Sequence, residues 1–280
     1  MKEPNIKILV ACHKADPYIR QDDIYMPIQV GKALHPEINL GFQCDNEGDN
    51  ISHKNDTYCE LTALYWAWKN LKGVDYIGLC HYRRYFDFKT KTIKDKIIKG
   101  KEEYIKNSDY KIIKQHIKNN IIKPKPILFP YNLRTQYSNC HNSFDLNILN
   151  DIIKADFPYI EASFKKIFNS NKLSPYNMFI MDWQTFVNFC EFIFSILPKL
   201  EKKVKIKDYD LYQRRIFGFL SERLLNVFLD HISESKKITE FPIKLIDSSK
   251  KNVDIKNYIS RNFRKKLAFF LTKNLNTQIQ

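Results

Sequence analysis

Glycine is scarce in this chain, with only 7 among 280 residues, and neither GxGxxG nor GxxxxGK[ST] occurs anywhere. Loops that wrap phosphates in backbone N–H groups need glycines at those spacings, so dinucleotide-fingerprint and P-loop readings have no support. Any phosphate bound here has to be held by side chains. The six cysteines (Cys12, Cys44, Cys59, Cys80, Cys140 and Cys190) form no CxxC pair, which points to neither a zinc site nor a disulfide framework. Cys12, Cys80 and Cys190 lie in apolar runs and read as core thiols, a pattern that fits a reducing cytoplasm. No stretch approaches the ~20 apolar residues of a membrane span. The opening "MKEPNIKILVACHK" reads better as a first strand than as a signal sequence. Any membrane contact is therefore expected to be peripheral.

What is present is core material. Hydrophobic residues make up 44% and aromatics 14% of the chain, enough for one large domain with or without a helical appendage. The net charge of +15 favours an anionic partner, whether nucleic acid, acidic membrane or phosphorylated small molecule, without choosing among them. Much of the excess falls in lysine-rich stretches. One of these, residues 90–125, has isoleucines near helical spacing and reads as one or two solvated amphipathic helices.

Ile6 to Ala11 is a short apolar run like a buried parallel strand, followed at once by His13, Lys14 and Asp16. Polar residues at the carboxyl end of a first strand occupy the position where α/β sheets place ligands. A second polar loop, "CDNEGDNISHKND", spans Cys44 to Asp56. From Tyr58, "YCELTALYWAWKNLKG" carries Leu61, Leu64, Tyr65, Trp68 and Leu71 at helical spacing, and Gly73 ends it. Further on, Pro126–Asn132 reads as a short buried strand, Phe144–Ile153 and Tyr159–Phe168 as helices, and Tyr176–Trp183 as a strand. Phe186–Leu197 and Leu211–Leu229 read as helices. The helix-then-strand order predicts a layered α/β fold.

The run "DYIGLCHYRRYFDF", Asp75 to Phe88, begins as a strand and ends by gathering His81, Arg83 and Arg84 among aromatics. Arginine offers planar, permanently charged donors that match phosphate oxygens, so two arginines and a histidine could neutralise a diphosphate without a metal. A metal-dependent transferase on such a fold would carry a DxD-like acid pair at this position. The alternative is structural, with the arginines paired to Asp75 or Asp87. Strand alternation would also send the two arginines to opposite sides.

Five blocks, "ILVACHK", "DNEGDNISHKNDTYCELTALYWAWKN", "DYIGLCHYRRYF", "NMFIMDWQTF" and "RIFGFLSERLL", occur in this order between about Ile6 and Leu229. They resemble a family of bacterial capsule and O-antigen glycosyltransferases first known as a domain of unknown function, some of whose members are assigned as inverting galactofuranosyltransferases. The resemblance implies a GT-A-like α/β fold, a single nucleotide-sugar-binding domain with a mixed central sheet flanked by helices. It implies a UDP-sugar as co-substrate; the basic cluster standing where a metal site would be leads to the expectation of no metal or other cofactor. Carried onto this chain, Cys12, His13 and Lys14 fall where the nucleotide sits, and Asp45, Asn46, Asn50, Ser52 and Asn55 fall in the matching polar loop. His81, Arg83 and Arg84 would face the diphosphate.

Inverting transfer needs a general base for the acceptor hydroxyl. "YSNCHNSFDL" matches a block of the same family and sets His141 and Asp145 four residues apart, and His141 is itself one of four candidates for the base. Asp145 is the first candidate, although it would serve equally well to cap the following helix. Glu60 is second, with helix capping or an arginine pair as its alternatives. Asp182 is third, because relatives often lack an acid there. Trp66, Trp68, Tyr65 and Tyr82 could stack on a sugar or uracil, though aromatics at helical spacing more often pack the core. Arg215, Glu222 and Arg223 could bind phosphate or hold their helix by ion pairs, the latter being the default reading.

These readings give a glycosyltransferase domain over residues 1–235 and a basic amphipathic helical tail over 236–280. In the tail, "NYISRNFRKKLAFFLTKNL" would dock at the anionic inner leaflet, each basic side chain contributing ~1 kcal/mol. The expected acceptor is a lipid-linked saccharide and the expected sugar galactofuranose, with UDP-galactopyranose or an N-acetylated sugar as the rival donor. Nucleic acid is not expected as a partner, since "CHYRRYF" follows a buried strand; the rival is a basic nucleic-acid-binding protein.

Overall fold

The computed structural model describes residues 3–88, 109–118 and 120–246. Most of the lysine-rich segment between 90 and 108 and the basic tail from 247 onward lie outside the described residues.

A mixed sheet forms the centre. Its main path contains β1 (Ile6–Cys12), β2 (Tyr25–Gln29), β3 (Gln43–Cys44), β4 (Tyr76–His81), β6 (Asn120–Pro124), β9 (Phe179–Asp182) and β10 (Lys237–Phe241), in the order β10-β6-β9-β4-β1-β2-β3. Strand β1 runs parallel to both β2 and β4, whereas β9 is antiparallel to β4 and β6. Strand β5 (Arg84–Phe86) folds back on β4, and β11 (Ile243–Leu245) pairs with β5. Outside this sheet, β7 (Ile127–Leu128) and β8 (Lys172–Leu173) form a two-stranded ribbon.

The strands read as continuous apolar runs because both faces are covered. Alternation sends Ile6, Ile8, Val10 and Cys12 of β1 into one core cluster and Leu9 and Ala11 into the other. The larger cluster packs under α2 (Leu61–Asn70), α5 (Ser143–Asp156), α6 (Glu161–Asn169), α7 (Trp183–Glu201) and α8 (Ile216–His231). The smaller one is closed by Ile113 and Ile117 of α3 (Tyr110–Ile117). Each fully buried aliphatic side chain contributes ~1.5–3 kcal/mol. In the middle of β4, a Cβ on Gly78 would stand 2.8 Å from the Phe179 carbonyl oxygen, so only glycine lets β9 approach this closely.

Several expectations need correction. Within 126–132 only Ile127 and Leu128 form a strand, and at 42% and 54% exposure they are not buried. The buried strand is Asn120–Pro124, hidden in the sequence by the lysine-rich run before it. The helix expected to run on from Tyr58 is broken at Cys59, whose φ of 52° ends α1 (Asn55–Tyr58) before α2 begins. The helix read over Leu211–Leu229 begins only at Ile216, after a 3₁₀ turn at Gln213–Arg215. Finally, a boundary at 235/236 does not fit, because β10 and β11 carry the same sheet on to Leu245.

Candidate active site

The carboxyl ends of β1 and β4 lie side by side, with Ala11 opposite His81. They open into a cleft of about 770 Å³ that is also walled by α1, by α4 (Leu133–Cys140), by the first turns of α8 and by the β7–β8 ribbon. Five arginines reach it (Arg83, Arg84, Arg214, Arg215 and Arg223), against the carboxylates Asp56, Glu60 and Glu222. This excess of fixed positive charge in a concave site is the electrostatic signature of an anion-binding cleft.

Both arginines of the "HYRRYF" run face the cleft. Strand alternation does not separate them, because Tyr82 and Arg83 form the turn of a hairpin and Arg84 already belongs to the returning strand. The Arg83 guanidinium lies over the Tyr82 ring at 4.8 Å and that of Arg84 over the Tyr176 ring at 4.5 Å. Arg84 makes no ion pair among the described residues, so the structural alternative fails for it. The Nε of Arg214 is buried without a hydrogen-bond partner among the described residues.

The histidines of the cleft lean towards neutrality. Burial lowers the pKa of His13, and the charges of Lys14, Arg83 and Arg215 lower it further. His81 donates from Nε2 to the Tyr176 carbonyl at 2.7 Å. Burial is the main cause of its lowered pKa, with Glu60 opposing and Arg84 and Arg215 reinforcing. His81 therefore sits where expected but adds little positive charge. His141 stacks on Phe219 at 4.1 Å and shares a hydrogen bond of 3.1 Å with Gln213 through Nδ1, and burial takes its pKa down to about 4.

The four candidate bases separate cleanly. Glu60 lines the cleft, makes no capping hydrogen bond to α2 and forms no ion pair among the described residues. Its Oε1 accepts from Asn177 Nδ2 at 2.7 Å, and its Oε2 has no partner among the described residues. His141 also faces the cleft. Asp145 does not; it is 2% exposed and bonded by the Tyr209 hydroxyl. Asp182 is at the wrong end of the sheet. It pairs in register with Tyr76, at the start of β4, roughly 17 Å of extended strand from His81. There it caps α7 through Thr185 N at 3.0 Å and holds Lys236 at 2.9 Å.

Among the remaining polar candidates, Asn55 lines the cleft and bonds the Cys59 carbonyl and Thr62. Asp45 is fully buried and serves as a staple, accepting from the N–H groups of Gly31 and Lys32 and from the hydroxyls of Ser52 and Thr62. Lys14 and Asn46 are exposed and outside the cleft wall. Trp66 is buried in the core, Trp68 stacks on Phe194, and only Tyr82 of the four aromatics lines the cleft.

The family model described as domain of unknown function DUF4422 matches residues 7–234. The chain belongs to this family. Its structure is similar to that of the WbbM bifunctional glycosyltransferase in its apo form, with a TM-score of 0.78 and 28% identity over 87% of this chain. The match spans 46% of that longer chain, about half its length. No curated protein matches. The fold is the GT-A-like α/β fold that the resemblance implied, a mixed sheet flanked by helices. No helix among the described residues is long and apolar enough to cross a membrane.

Two features of the site were not read from the sequence in the places they occupy. Glu222 lines the cleft, with Oε1 accepting from Tyr176 N at 2.7 Å and Oε2 paired to Arg223 at 3.2 Å. The "SER" of "RIFGFLSERLL" signalled an acid on a helix, but nothing showed which way it faced. Tyr176 and Asn177 have φ of 72° and 52°, a left-handed turn without glycine that no sequence pattern announces.

Proposed function

We propose that the protein is a glycosyltransferase that moves a sugar from a nucleotide diphosphate donor to a saccharide acceptor with inversion, using Glu60 as general base. The observation that carries this reading is the cleft itself, which five arginines line together with a carboxylate, Glu60, that has one oxygen held and the other left open. The similarity to the WbbM glycosyltransferase supports it.

In this mechanism Arg83, Arg84 and Arg215 grip the diphosphate and stabilise the charge that grows on it as the glycosidic bond breaks. Glu60 Oε2 accepts the proton of the attacking hydroxyl on the opposite face of the sugar. Glu222 is less suited to the task because both its oxygens are engaged. In this reading arginine takes the place of a metal as leaving-group stabiliser, a role that the arginines lining the cleft have the charge to fill. UDP is the nucleotide and galactofuranose the sugar we propose. The acceptor we propose is lipid-linked, in cell-surface polysaccharide assembly at the cytoplasmic face of the membrane.

The test is Glu60→Gln, assayed for UDP release from UDP-galactofuranose in the presence of saccharide acceptors. Loss of a positioned base lowers kcat by ~10²–10⁴-fold with UDP affinity retained. A variant that turns over like the wild type would overturn the assignment.

A further inference from the structure

The strained turn at the cleft floor grips three of the groups just described. Tyr176 accepts from His81 through its carbonyl and donates to Glu222 through its N–H, while Asn177 donates to Glu60 through its side chain, each at 2.7 Å. Side-chain-bearing residues disfavour the left-handed region and persist in it where the surroundings over-determine them, often at functional sites. Here α8 supplies the surroundings.

Asn177 is fully buried. The Ser221 hydroxyl donates to its Oδ1 at 2.7 Å, and its Nδ2 also reaches the Gly218 carbonyl at 3.2 Å. The two contacts fix the orientation of the amide. A flipped amide would set Oδ1 against both the Gly218 carbonyl and the Glu60 carboxylate, and would waste the Ser221 donor. Gly218 also allows the close approach, since a Cβ there would stand 3.0 Å from Cys59 Sγ. The relay Ser221 to Asn177 to Glu60 thus reaches the cleft from a rigid helix.

We infer that Asn177 is the positioning residue for Glu60, holding Oε1 so that Oε2 is the oxygen presented to the acceptor hydroxyl. This rests on the reading of Glu60 as the base. A preorganised base loses rate when its orientation is lost even though the substrate still binds.

Two variants separate this role from mere support of the fold. Asn177→Gly keeps the left-handed backbone, which glycine adopts freely, and deletes the amide. Asn177→Asp keeps shape and φ preference but puts a second carboxylate against Glu60. The charged and titratable groups acting around Glu60 are His81, Cys59, Glu222 and Arg215, with Arg84 beyond His81. UDP affinity is measured by calorimetry, and kcat and KM are measured by UDP release from UDP-galactofuranose across pH. The expected result is a kcat at least tenfold lower in both variants, with UDP affinity within about twofold of wild type. In Asn177→Asp the acid limb of the kcat profile also moves to higher pH, because the two carboxylates share a proton. If Glu60→Gln is inactive while Asn177→Gly keeps its kcat, this inference alone fails. If both Asn177 variants lose UDP affinity in proportion to rate, Asn177 only holds the fold and the inference is overturned. An active Glu60→Gln would overturn the base assignment and this inference with it.

Discussion

Replacing Asp145 by asparagine should leave turnover intact and make the protein relatively more stable as pH rises. Burial pushes the Asp145 carboxyl from its ordinary 3.8 up to about 6, against hydrogen bonds from Tyr209 and Tyr137 that favour the charged form. A folded pKa above the unfolded one means that the folded state holds the proton more tightly. The stabilisation is complete below the unfolded value and is lost as pH rises through the folded one. At ~1.4 kcal/mol per pH unit, the gap between 3.8 and about 6 amounts to roughly 3 kcal/mol lost by pH 8. Roughly half of that develops between pH 5 and pH 8. Asp145→Asn cannot ionise and escapes this cost. In a chain of this size ~1 kcal/mol corresponds to ~2–4 °C in Tm. The Tm of Asp145→Asn relative to wild type should therefore climb by roughly 3–6 °C between pH 5 and pH 8 in thermal scans. A difference that stays flat with pH would refute the burial argument. A fall in kcat by ~10²-fold or more would restore Asp145 as the base.

Gly78→Ala sets a Cβ 2.8 Å from the Phe179 carbonyl oxygen and 2.9 Å from Ile180 Cγ1. Overpacking of this kind costs ~1–3 kcal/mol, read as a lower urea midpoint with an unchanged slope. Asp45→Ala strips the acceptor from two N–H groups and two hydroxyls and should cost at least ~3 kcal/mol in the same assay. Burial raises the pKa of Asp182, but its hydrogen bonds with Lys236 and Thr185 outweigh this and leave it lowered. Its stabilisation is therefore present at neutral pH and lost as pH falls below the ordinary carboxylate range. Asp182→Asn should lower Tm near pH 7, match wild type in strong acid and leave turnover unchanged.

The fold was legible where burial imposes periodicity. The runs of β1, β4 and β9 and the spacing of α2 and α7 follow from the demand that each element bury one or both faces. It was illegible where composition and burial part company, as at Asn120–Pro124, a buried strand reached through lysines, and at Ile127–Leu128, an apolar pair left at the surface. The arginine cluster was readable because charged side chains at the end of a buried strand have little to do but bind or pair. The choice among acids was not. Asp145 and Glu60 look alike in sequence, and only packing reveals that Tyr209 covers one while Asn177 steers the other toward the cleft. The hairpin that turns both Arg83 and Arg84 to one side depends on a reversal at Tyr82 that strand alternation does not predict.

The account turns on the arginines as diphosphate ligands, and calorimetric titration with UDP of the wild type, Arg83→Ala and Arg84→Ala, with and without EDTA, tests that most directly. The account predicts wild-type binding that EDTA leaves unchanged. It also predicts that Arg84→Ala weakens binding by ~10- to 100-fold, the loss of one charge-assisted contact. Binding that needs Mn²⁺ or Mg²⁺, or that survives both substitutions, would contradict it.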